Sequence, residues 1–116
     1  MNSPNHREFL AAARKHIRAF TWYGTYPEAC ALVMGYDNGL GPGSFVPGFQ
    51  QWLTSRQGSA PEVVFWVHVL REALPNRPGL DGSNLSKEDH SLAVDKLFEL
   101  LLEYVDEAGL DARATD

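Results

Sequence analysis

Cysteine is almost missing from this chain. Cys30 stands alone among 116 residues, which excludes an internal disulfide and any multi-cysteine metal centre. Long apolar runs are missing too. The longest, Val63 to Val67, resumes after His68 with Val69 and Leu70 and falls far short of the roughly 20 residues a membrane helix needs. The opening Met1-Asn2-Ser3-Pro4-Asn5-His6-Arg7-Glu8 holds no apolar leader. These absences predict a cytoplasmic protein with no membrane partner. Positive charge is scarce: 10 Lys and Arg face 15 Asp and Glu, for a net charge of −5, which argues against general nucleic-acid binding.

Metal and cofactor signals are lacking as well. His6, His16, His68 and His90 never pair at ligand spacing, so no metal is expected. Gly39-Leu40-Gly41-Pro42-Gly43 lacks both a preceding strand and the GxGxxG spacing of a phosphate loop. No cofactor is expected.

What the chain does contain is helix punctuation. Ser3-Pro4 sets a capping hydroxyl before a first-turn proline. Thr25-Tyr26-Pro27-Glu28 and Ser59-Ala60-Pro61-Glu62 read as capping boxes, and Ser86-Lys87-Glu88-Asp89 as a weaker one. Apolar residues then recur at steps of three and four. Phe9, Leu10, Ala13, Ile17 and Phe20 mark the inner side of a first helix. Ala29, Leu32, Val33 and Tyr36 mark a second over residues 26–36, with Cys30 and Met34 beside that face. Val46, Phe49, Trp52 and Leu53 mark a third, and Val94, Leu97, Leu101, Tyr104, Val105 and Ala108 a last one over residues 87–108.

Residues 62–74 are ambiguous, because Val63 to Leu70 is rich in strand-favouring side chains. A helix is expected there, since a capping box precedes the run and Arg71-Glu72-Ala73-Leu74 continues it with helix formers. Apolar on almost every side, it should be the central element. The glycine- and proline-rich segments 37–44 and 75–84 read as connecting loops. The expected fold is an all-α, single-domain bundle of about five helices spanning residues 1–116, with a central apolar helix near residues 60–74. Residues 109–116 form a disordered tail in this reading.

Gly35-Tyr36-Asp37, then Phe45, then Pro47-Gly48-Phe49-Gln50-Gln51-Trp52-Leu53 resembles an element of small uncharacterised bacterial proteins of actinobacterial type. In those, a glycine-tyrosine pair ends one helix and a "GFQxW" element opens the next. The resemblance covers residues 26–108 and implies a helical fold. For function it implies an immunity-type protein, some of whose kind pair with secreted toxins; it carries over no catalytic residue. The element also has a mechanical reading, in which Gly35 and Gly48 let helices approach closely and Trp52 fills the junction.

Three sets of residues are candidates for function. Asp95, Glu99, Glu103 and Asp106 fall on one line of the last helix, a stripe suited to a basic protein partner such as a toxin. Residues 1–24 carry a balance of +3 and residues 86–116 one of −6, so the same charges could instead draw the two ends of one fold together. Trp22 and Tyr23 are candidate binding anchors. His68, four residues before Glu72, could form a proton-transfer pair in a pocket with Tyr36 or Trp52, although a lone histidine in an apolar run also suits a satisfied core position. The leading expectation is a non-enzymatic, antitoxin-like inhibitor of a basic protein. A homodimeric adaptor using an apolar helix face, and a small enzyme or ligand binder at His68 and Glu72, are the alternatives.

Overall fold

The computed structural model describes residues 5–58, 63–77 and 84–111. It is an all-α bundle whose helices run in the order α1 (His6–Lys15), α2 (Ile17–Phe20), α3 (Tyr26–Leu40), α4 (Val46–Gln57), α5 (Phe65–Ala73) and α6 (Lys87–Ala108). No strand occurs among the described residues.

Six helices stand among the described residues where about five are expected, because the first pattern breaks at His16 (φ −122°, ψ 44°). The break turns Phe20 outward to 45% exposure, while Leu10 and Ala13 stay buried. The start of α3 is as the sequence predicts: the Thr25 hydroxyl accepts from the Glu28 amide, and the Glu28 carboxylate accepts from the Thr25 amide. Ser86 and Asp89 form the same reciprocal cap on α6. The Ser3-Pro4 cap and the Ser59–Glu62 box lie outside the described residues. α5 starts later, at Phe65, with Val64 as its uncapped first residue.

Residues 65–73 are helical, as expected, and bury Phe65, His68, Val69 and Leu70 against α4 and α6. They are not the axis, however. Nine residues reach too few neighbours, and Val64 and Trp66 face solvent. The axis is α6, which packs against α1, α3, α4 and α5 and buries Leu97, Leu101, Tyr104 and Val105 together with Ala93, Phe98 and Leu100. The expected seam is present, except that Ala108 is exposed.

α3 continues four residues past its expected end, through Asp37, Asn38 and Gly39 to Leu40. The loop proper begins at Gly41, whose φ of 131° suits glycine. The extension has a use. The buried Asp37 carboxylate turns back and accepts from the amides of Gly43, Phe45 and Val46 at 2.6–2.9 Å, capping α4, whose own first residue offers no side-chain cap. Burial alone would raise the Asp37 pKa; the three amides outweigh it and hold the carboxyl below its ordinary value.

The sequence element that carries the resemblance is thus largely mechanical. A Cβ at Gly48 would strike the Tyr104 hydroxyl. Trp52 stacks on Phe49, lies against Tyr104 and donates its indole N–H to Glu107 at 2.9 Å. Gly35 does not share that role: a Cβ there would meet nothing within 4 Å among the described residues.

Residues 109–111 are not a loose tail. Gly109, at φ 65°, closes α6, with its amide and that of Leu110 bonded to Asp106 and Val105 carbonyls. Asp111 then accepts from the His6 and Arg7 amides at 2.9 and 2.8 Å, reinforcing the Asn5 cap on α1. The remainder of that expected tail, 112–116, lies outside the described residues.

Asp37→Ala should lower unfolding free energy by about 2–3 kcal/mol, the sum of a lost cap and unpaired buried amides, read as a lower urea midpoint. A loss below about 0.5 kcal/mol, the size of an ordinary surface change, would contradict the corner role.

Candidate functional site

The four carboxylates of the acidic stripe stay partly exposed, with side chains 44–67% accessible, but each has a cation from this same chain. Arg7 pairs with Asp106 and Arg14 with Asp95, which joins α1 to α6. Lys96 sits 3.3 Å from Glu99, and Arg56 3.5 Å from Glu103. The stripe is therefore compensated, and the opposed charge of the two chain ends is used within the fold. Exposed pairs of this kind each contribute little to stability, yet a basic partner would have to compete with them.

His68 is fully buried and its polar atoms are occupied. Its Nδ1–H donates to Gln57 Oε1 at 2.5 Å, and Nε2 lies 3.4 Å from the Thr54 hydroxyl. Gln57 also donates to the His68 carbonyl and to Glu72, both at 3.0 Å. Glu72 is held from the other side by Arg56 at 2.9 Å. His68 and Glu72 are thus joined through Gln57, a residue the sequence did not single out. This ties α4 to α5. Burial, helped by the nearby Arg71 charge, pushes the His68 pKa down. Burial pushes Glu72 up, but the Arg56 and Gln57 hydrogen bonds override it and hold Glu72 ionised. A neutral imidazole with both nitrogens partnered suits a satisfied core position. Tyr36 and Trp52, the proposed companions of a pocket, point elsewhere: the Tyr36 hydroxyl lies 2.6 Å from His6 Nδ1, and Trp52 reaches Glu107.

The third candidate set opens a wider feature. Trp22 and Tyr23 are 83% and 73% exposed on a bend that hydrogen bonds hold in place. The Thr21 hydroxyl donates to the Ile17 carbonyl and accepts from Gly24 N–H, while Tyr23 N–H donates to Glu28. The aromatics are thus presented on an ordered backbone. Trp22 lines a shallow cleft with Phe20, Thr21, Glu28, Ala31 and Leu32. Ala31 also lines a second depression of about 470 Å³, walled by Cys30, Met34, Val46, Pro47, Gln50, Val64, Phe65 and Trp66. The two lie on either side of Ala31, the residue their linings share.

Met34 (47% exposed), Val64 (43%) and Trp66 (37%) complete this apolar surface. From sequence, Met34 reads as flanking the core and Trp66 as part of a buried helix. A signal for the outer face is nonetheless present: Ala31, Gly35 and Gly39 recur every four residues and mark a smooth outer stripe on α3. Set against known protein families, curated proteins and solved structures, the chain matches none.

The lowered His68 pKa fixes a pH dependence. Below about pH 6.5, the ordinary histidine value, the unfolded chain binds a proton that the buried imidazole resists, so stability falls as pH falls. Urea midpoints measured from about pH 7 down to about pH 5 should decline for the native chain and flatten for His68→Gln. An equal decline in both would show that His68 is not the group responsible.

Proposed function

We propose that this chain is a non-enzymatic protein-binding protein that docks through the apolar outer face of α3. The observation that carries this reading is an exposed indole, Trp22, on a hydrogen-bonded bend, lining a cleft that shares Ala31 with an apolar groove. Large aromatic side chains kept at solvent on an ordered backbone are the usual anchors of protein interfaces. An apolar surface spread over several large side chains is uncommon on a protein that works alone. The polar clusters favour no competing chemistry, since Asp37, His68, Glu72 and Asp89 all have partners within the fold.

A second reading keeps the antitoxin-like role suggested by the sequence resemblance, with a basic toxin-type partner on the α6 carboxylates. It is supported by the net charge of −5 and by the residual exposure of Asp95, Glu99, Glu103 and Asp106. Such charge would speed association more than it would set affinity.

Co-expression with the products of the adjacent genes, followed by affinity capture, separates the two. Trp22→Ser combined with Trp66→Ser should weaken retention of a partner by at least about tenfold, measured well below the melting temperature of the doubly substituted chain, since Trp66 is only 37% exposed. Asp95→Asn combined with Glu99→Gln should leave retention intact. The opposite pattern would transfer the binding role to the acidic stripe.

A further inference from the structure

We infer that the apolar face of α3 is covered in solution by a second copy of this chain, the two copies related by a two-fold axis passing close to Ala31. This rests on the docking-face reading above and supplies its occupant.

The two sides of α3 are complementary to each other. Around α3, Cys30 and Met34 turn to the 470 Å³ groove, Glu28 and Leu32 turn to the Trp22 cleft, and Ala31 lies between and lines both. A two-fold rotation about Ala31 exchanges the two sides. It carries the indole of one copy toward the apolar groove of the other, and the reverse contact follows by symmetry. The indole is the most exposed large apolar side chain among the described residues. The groove, walled by Cys30, Met34, Val46, Pro47, Phe65 and Trp66, is wide enough to receive it.

The α3 backbones can also approach closely. Ala31, Gly35 and Gly39 lie on one stripe of α3, and all three are exposed. A Cβ at Gly35 or at Gly39 would meet nothing within 4 Å among the described residues. Glycine inside a helix weakens it, so two such positions are a cost with no return within the fold. At a two-fold axis the stripe would face its own copy, and the missing side chains would let the two α3 backbones come together.

Charge and area agree. Two chains of net charge −5 repel, yet the residues lining both depressions include one charged group, Glu28, whose carboxylate is bound by the Thr25 and Tyr23 amides. The exposed fractions of Phe20, Trp22, Met34, Val64 and Trp66 amount to roughly 400–640 Å² at about 150–250 Å² per large side chain. That covers the upper part of the range carried by working monomers and roughly half to four-fifths of the approximately 800 Å² per partner of a stable interface.

The test is sedimentation equilibrium on the whole chain over a micromolar concentration series, with the native sequence, Trp22→Ser and Gly35→Leu. The native chain should approach twice its own mass as concentration rises. Trp22→Ser should raise the dissociation constant at least about tenfold. Gly35→Leu should abolish the dimer while keeping or raising the melting temperature, because the added side chain is a better helix former and its Cβ meets nothing within 4 Å among the described residues. A native chain that stays monomeric throughout overturns the proposal, as does a dimer that neither substitution weakens. A monomer that still loses a captured partner with the Trp22→Ser and Trp66→Ser pair would sink the second copy alone. Insensitivity in both experiments would sink the docking face with it.

Discussion

One buried carboxylate sets the corner on which the candidate surface depends. Asp37 sits at the end of α3 and gathers three amides from the start of α4. Without it, the first turn of α4 would have buried donors with no acceptor. With it, the two helices meet at a fixed angle, and the residues facing each other across that angle become the walls of the groove: Cys30 and Met34 on one side, Val46 and Pro47 on the other. The groove is a by-product of how a helix is capped.

The remaining helices are arranged around α6 by a combination of packing and paired charge. Arg56 shows how the two are combined. Its guanidinium lies 5.3 Å above the Trp52 ring, bonds Glu72 of α5 and approaches Glu103 of α6. One side chain on α4 thereby refers to both neighbouring helices. Arg77 does the same for the approach to α6, forking onto Asp89 at 3.1 and 2.9 Å. These contacts are orientational. The bulk of the stabilisation comes from Phe45, Phe49, Phe98, Leu97 and Leu101, all essentially removed from water.

The fold class was legible because its signals are local. Capping boxes and three-four spacing depend on residues within one turn of each other, so α3 and α6 could be read with near-correct starts. The break at His16 was not legible, since no proline or glycine marks it. The role of α6 as axis was obscured for a different reason: length decides how many neighbours a helix meets, and apolar content alone pointed to α5. Residue types indicated the stripe Asp95, Glu99, Glu103 and Asp106 and the aromatics Trp22 and Tyr23. Compensation by Arg7, Arg14 and Arg56 is a long-range property that spacing along α6 does not encode. The α3 face was hidden by its own chemistry, because Met34, Val64 and Trp66 look like core until their neighbours are known.

Asp111 on the His6 and Arg7 amides closes a loop 105 residues long in sequence. Closing a flexible loop of that size costs about 4 kcal/mol in chain entropy, as (3/2)RT ln n, a cost that falls once α6 is packed against the helices between. The same clasp gives the molecule a mechanical seam. Tension applied through the chain ends would bear first on two amide–carboxylate bonds and the Arg7–Asp106 pair, and only then on the buried Leu10 and Ala13 and the Phe9–Tyr36 stack by which α1 holds to the interior.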